Sequence, residues 1–150
     1  MTGSGVRVAI ACSGLGHVQR GIEAWASDTA RGLQRAGIAA DLFGGGPGPG
    51  ITALANLPRT SAANIRLARV LRQLGGWRYG FGSSYEVEQT TFCASLWRRI
   101  HRSHDILHVQ DPTIALWFER LHRLGLSRPR VVYANGTGEP GTLMRRFRSL

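Results

Sequence analysis

The chain has 150 residues, 43% of them hydrophobic, with four Trp, three Tyr and five Phe; this is the size of one domain with a real core and excludes a disordered, collagen-like or fibrous chain. No stretch approaches the roughly 20 consecutive apolar residues of a membrane-crossing helix, and the opening MTGSGVRVAIACSGLG lacks the basic leader of a secretory signal. The net charge of +10 is carried by nineteen basic residues, all Arg, a field that attracts nucleic acid, anionic lipid or phosphorylated substrates through the same Coulomb term. Complete use of Arg over Lys also follows from genomic base composition, so the charge is supporting evidence only.

Residues 6–12 are mostly apolar and β-branched and end at Ser13 and two glycines, which predicts a buried first strand feeding a turn. From 20 to 36, Ile22, Trp25, Ala26, Thr29, Leu33 and Ala36 recur at helical spacing, with Gly37 as the stop. Residues 38–43 read as a second strand, and the Gly/Pro run 44–50 as a mobile loop or exposed turn. Over 62–74 an apolar arc of Leu67, Val70, Leu71 and Leu74 lies opposite Arg66, Arg69 and Arg72, a basic amphipathic helix. Glycines make 75–84 a loop. A helix over 85–102 buries Phe92, Leu96 and Ile100 and turns Arg98, Arg99 and Arg102 outward. DILHVQ over 105–110 is a strand, 112–124 a helix opened by Pro112 and closed by Gly125, 130–134 a strand, and a further helix starts at Thr142.

Strands separated by helices imply crossover connections, hence one α/β, Rossmann-like domain over 1–150: a parallel sheet with helices on both faces. Ligands gather at the carboxyl ends of such strands, which brings together the loops 13–21, 110–112 and 135–141. In the first loop, Gly14 and Gly16 let backbone approach a ligand, and the following helix offers N–H groups and a positive dipole end to a phosphate, with Arg20 as helper. Its spacing, G-x-G-x-x-x-x-G, differs from the dinucleotide fingerprint and from a P-loop, and Asp41 precedes the end of its strand, so a nicotinamide-dependent oxidoreductase ranks low. His17, at the mouth of the turn, suits hydrogen bonding to a phosphate or a sugar hydroxyl. Alternation puts His108 and Gln110 on one side of their strand; Gln110 and Asp111, at its end, are the better placed to touch ligand. In the last loop Asn135, Thr137 and Glu139 are available for hydroxyl recognition. His101, His104 and His122 sit on Arg-rich stretches with no specific role. Cys12 and Cys93 are far apart and without ligand spacing, so no disulfide scaffold or zinc site is indicated and a reducing cytoplasm fits.

Taken together, SGLGHVQRGIE after a first strand, a second strand ending DLFGGG, then DILHVQDP and VVYANGTGEP resemble the amino-terminal half of a two-domain GT-B glycosyltransferase of the retaining family-4 type. The resemblance implies an acceptor-side domain whose first Gly-rich loop, with Gly14, Gly16 and His17, faces the cleft and approaches the phosphates of a nucleotide-diphosphate sugar. It implies transfer with retention and without an obligatory metal, the leaving diphosphate being stabilised by backbone dipoles and cationic side chains. Many members carry H-x-H at the fourth-strand motif; here H-x-Q puts Gln110 in the place of the last His. The family's second domain, with its E-x7-E motif, has no counterpart in these residues, so the chain is expected to be a fragment or split half that is inactive alone. The competing expectation is a non-catalytic basic Rossmann-like module that binds a phosphorylated ligand or docks on anionic membrane through Arg66, Arg69 and Arg72 and the neighbouring Arg98, Arg99 and Arg102. A membrane location would then be the inner face; nucleic acid is disfavoured because no aromatic-interleaved basic stripe is present.

Overall fold

The computed structural model describes residues 5–18 and 21–134; the helix expected from Thr142 lies outside them. Five strands, β1 (Arg7–Cys12), β2 (Ala39–Gly44), β3 (Ile51–Ala53), β4 (Ile106–Val109) and β5 (Arg130–Tyr133), form one sheet in the order β3-β2-β1-β4-β5. Every neighbouring pair is parallel. Four helices accompany them: α1 (Gly21–Arg35), α2 (Ala62–Gln73), α3 (Ser84–Ile100) and α4 (Pro112–Arg123). This is a Rossmann-like α/β fold.

The two faces of the sheet follow from the period-two alternation of its strands. Val8, Ile10, Cys12, Ala40 and Leu42 pack with Ala26 and Ala30 of α1. Ala9, Ala11, Leu107, Val109, Val131 and Tyr133 pack with Phe92, Leu96 and Ile100 of α3 and with Ile114, Ala115 and Phe118 of α4. Because β1 is central and covered on both sides, an uninterrupted apolar run is the only sequence that suits it. Ser61 and Ser83 cap α2 and α3 by accepting the Asn64 and Glu86 N–H groups.

Three local expectations change. The segment 44–50 is inward only at its start: Gly44 and Gly46 are buried and Gly46 N–H donates to the Leu15 carbonyl at 2.9 Å, whereas Pro47, Pro49 and Gly50 form the exposed turn expected. Beyond it Ile51–Ala53 adds a parallel strand to β2 after only the residues 45–50. Parallel neighbours ordinarily need a crossover of a dozen or more residues; here glycines and prolines fold the chain back within that short span. A 3-10 turn, Gly76–Tyr79, occupies the expected loop before α3.

The third change concerns α2, whose buried residues are Asn64 and Ala68, with Leu71 half-buried, rather than the apolar arc. The helix packs chiefly on α3 and the 3-10 turn, and Asn64 donates from Nδ2 to the Leu57 and Ser84 carbonyls. A hydrogen-bonded amide therefore takes the place that periodicity assigns to an apolar side chain.

Phe118 is fully buried and Leu74 is 77% exposed. Phe118→Ala is expected to lower the unfolding free energy by about 3–5 kcal/mol, and Leu74→Ala to change it by less than about 0.5 kcal/mol, as measured by urea unfolding.

Candidate functional site

From β1 the chain moves outward to β2 and β3, then returns across the sheet to β4 and β5. The connections leaving β1 and β4 therefore diverge, and the carboxyl ends of these two strands border the crevice where open α/β sheets bind ligands. The structure joins the two connections directly. Ser13 N–H, just past β1, donates to Asp111 Oδ2 at 2.8 Å, and the Tyr85 hydroxyl, from the first turn of α3, donates to Asp111 Oδ1 at 2.9 Å.

Asp111 is buried, and burial raises its pKa against the lowering effect of its hydrogen bonds to Ser13 and Tyr85. Burial and the neighbouring Asp111 carboxylate push the Tyr85 phenol far up, so it acts as a donor. With both oxygens engaged, Asp111 positions the rim. It stands at the start of α4 but makes no side-chain cap there; Gln89 of α3 accepts the Thr113 N–H at 2.9 Å instead.

A second buried carboxylate lies alongside. Glu88 is fully buried and accepts the Arg59 backbone N–H at 2.9 Å and the Arg59 guanidinium through Nε. It also accepts His17 Nε2–H at 3.0 Å. The Arg59 guanidinium stacks over the Tyr85 ring, 4.4 Å from its centroid, which links the Glu88 cluster to the Asp111 cluster. Burial works against the charge on Arg59, but Glu88 outweighs it and the pKa moves up. A carboxylate out of water needs partners of this kind; isolated, it would not remain ionised. The second ring nitrogen of His17 has no hydrogen-bond partner among the described residues, and an imidazole held in this way can accept or donate a hydrogen bond to a ligand hydroxyl.

The glycines of the first turn face protein. A Cβ on Gly14 would overlap the Glu23 carboxylate, with Arg59 beside it, and a Cβ on Gly16, at φ 93°, would overlap the Gly46 backbone. Close approach is thus needed for the 44–50 loop and for the first turn of α1. Glu23, buried in that turn, also places a carboxylate near the positive end of the α1 dipole. Between this turn and the 47–49 loop opens a cavity of about 890 Å³ lined by His17, Val18, Glu23, Pro47 and Ile51.

The structure brings His17, Gly14, Gly16 and Asp111 to one rim, with Gln110 buried beside it at the end of β4. His108 lies away from the rim: it pairs in register with Ile10, and its ring meets Trp25 edge-on with centroids 4.8 Å apart. It borders a cavity of about 1040 Å³ that opens along the α1 face towards the amino ends of the strands, beside Ile106 and Val132. Arg20, Asn135, Thr137 and Glu139 lie outside the described residues. Asp41 is engaged elsewhere, accepting from Arg7 and from His104 at 2.8 and 2.9 Å; His104 therefore has a structural part that its Arg-rich neighbourhood hides.

Sequence reasoning missed Arg59, Tyr85 and Glu88. A signal for Glu88 was present: it stands four residues before Phe92 and so extends the series Phe92, Leu96, Ile100, placing a carboxylate on the buried stripe of a helix. Among the described residues no group of three His, Cys, Asp or Glu side chains is arranged to hold a metal ion. Comparison with protein-family models, with curated proteins and with solved structures finds no match.

Arg59→Met removes the guanidinium from Glu88 and is expected to cost about 3–5 kcal/mol; the double variant Arg59→Met/Glu88→Gln should cost clearly less than the two single variants combined when compared by urea unfolding. Burial lowers the pKa of His108, so the folded chain resists protonating it. Stability tied to the neutral ring is present above the ordinary His pKa of about 6.5 and falls as pH drops through it. His108→Leu is expected to lessen the decline in urea midpoint between about pH 7 and pH 5.

Proposed function

We propose that this domain is the acceptor-side half of a glycosyltransferase, binding a hydroxylated acceptor where His17, on the turn leaving β1, borders the cavity between that turn and the 47–49 loop, while a donor-binding half supplies a nucleotide-diphosphate sugar. The observation that carries the reading is His17 held by a buried carboxylate and arginine at a switch-point rim, beside a cavity also lined by Glu23. Carboxylates and imidazoles hydrogen-bond sugar hydroxyls well, and a crevice with one wall orients one reactant only. Among the described residues the carboxylates of Glu23, Glu88 and Asp111 lie near this rim together with Arg59 and His17, groups that can accept from and donate to hydroxyls. A donor phosphate would be met from the other wall.

In this reading His17 hydrogen-bonds the acceptor hydroxyl; Glu88 fixes the ring through Nε2 and is itself held by Arg59. Asp111 and Tyr85 keep the two strand ends at their spacing, and Gln110 contributes from the end of β4. Retention of anomeric configuration and independence of a metal belong to the resemblance on which the reading also rests.

The purified chain is expected to give no sugar transfer with any nucleotide sugar. It should nevertheless bind oligosaccharide or polyol acceptors, with amide shifts at Ser13, His17 and Val18 in NMR titrations, and His17→Ala should weaken that binding about tenfold, the scale of one lost hydrogen bond. Turnover by the chain alone, or a response of the same amides to NAD(H) but not to sugars, would refute the proposal.

A further inference from the structure

The chain between Asp41 and Glu86 contains no acidic residue, yet it holds Arg59, Arg66, Arg69, Arg72 and Arg78. Arg59 is committed to Glu88; the other four are exposed on α2 and the 3-10 turn that follows it. The same short stretch carries six large hydrophobic side chains in the open: Ile65, Leu67, Val70, Leu74, Trp77 and Tyr79, with Val70, Leu74, Trp77 and Tyr79 each more than half exposed. Helical geometry explains how both sets coexist. Asn64, Ala68 and Leu71 occupy the packed stripe; Leu67, Val70 and Leu74 follow one another at i, i+3 and i+7 along one flank, and Arg66, Arg69 and Arg72 take the opposite side of the helix, Arg66 on its outermost face.

We propose that α2 and the adjoining 3-10 turn form an interfacial surface that docks on anionic lipid bilayers, with the Leu67–Val70–Leu74 flank and Trp77 entering the acyl boundary and the arginines meeting lipid phosphates. Charge complementarity selects the occupant: α2 and the 3-10 turn carry four exposed arginines and no acidic residue of their own, with Glu86 beside Trp77 as a neighbouring carboxylate, and this excess of positive charge is matched by a negatively charged leaflet. The apolar component selects lipid over nucleic acid, since a phosphate backbone offers nothing to exposed Leu, Val and Trp side chains. Trp and Tyr favour the headgroup level because each combines an apolar body with a polar tip, and long Arg stems lie along apolar surface while their heads stay in water. Neither component alone holds a protein firmly on a bilayer; two together do. No helix among the described residues is long and apolar enough to cross a membrane, so the contact is one of lying on the surface.

The test uses the full chain with vesicles of phosphatidylcholine alone or mixed with phosphatidylglycerol, read by co-sedimentation at low and high salt and by quenching of Trp fluorescence with brominated lipid. Binding is expected only to the mixed vesicles, with quenching that Trp77→Phe reduces. Arg66→Gln/Arg69→Gln/Arg72→Gln should weaken partitioning roughly fivefold per arginine at low salt, about a hundredfold in all. Val70→Ser/Leu74→Ser/Trp77→Ser should abolish the part of binding that survives high salt. All six positions are exposed, and unchanged far-ultraviolet circular dichroism and urea-unfolding midpoints of both triple variants check that folding is intact. Absence of binding to the mixed vesicles, or parental binding by both triple variants, would overturn the proposal. So would a surface used for something else: light-scattering dimers dispersed by the apolar variant, or duplex DNA captured in place of vesicles.

Discussion

Two carboxylates taken out of water hold the candidate site together. Asp111 joins the segment after β1 to the segment after β4 and to α3, and Glu88 joins the turn carrying His17 to the segment before α2. Charges so buried persist only where every oxygen meets a donor, and the donors come from three separate stretches of chain: the turn of Ser13 and His17, the segment of Arg59, and the start of α3 at Tyr85. The same requirement fixes the stretches relative to one another. The rim therefore stays shaped without a ligand, which lowers the ordering cost of binding one.

This arrangement changes what the Gly-rich turn signifies. Small residues at the end of a first strand suggest bare amides waiting for a phosphate, but here the backbone approaches are made by Glu23 to Gly14 and by Gly46 to Gly16. Two glycine-rich connections press on each other and so bring His17 next to Glu88. Among the described residues, three buried acids meet one guanidinium and one imidazole around this rim.

Arginine has two distinct physical uses in this fold. Arg59 is desolvated, stacked on Tyr85 and bound to Glu88, so its contribution is to geometry inside the domain. Arg66, Arg69, Arg72 and Arg78 remain in solvent beside apolar side chains that the core does not cover. The narrow packing stripe of α2, built on Asn64 and Ala68, is the reason: a helix that rests on α3 through an amide and a methyl group leaves its larger hydrophobic residues outside.

The order of strands and helices was legible from composition, glycine stops and periodicity, since β1, β2, β4, β5 and the four helices arise from local patterns that burial on a sheet reinforces. The crevice between β1 and β4, and with it His17 and Asp111, followed from the topology those elements imply. Three things were decided only by tertiary structure. The short strand Ile51–Ala53 depends on pairing with β2, which its three residues do not announce. The partners Arg59, Tyr85 and Glu88 lie far from His17 in sequence, and no spacing rule connects an ion pair formed across three elements. Which flank of α2 is buried depended on whether its neighbour offered carbonyls to Asn64 or apolar surface to Leu67 and Val70; that complementarity belongs to the assembled fold, because one helix sequence carries both possibilities until it meets α3.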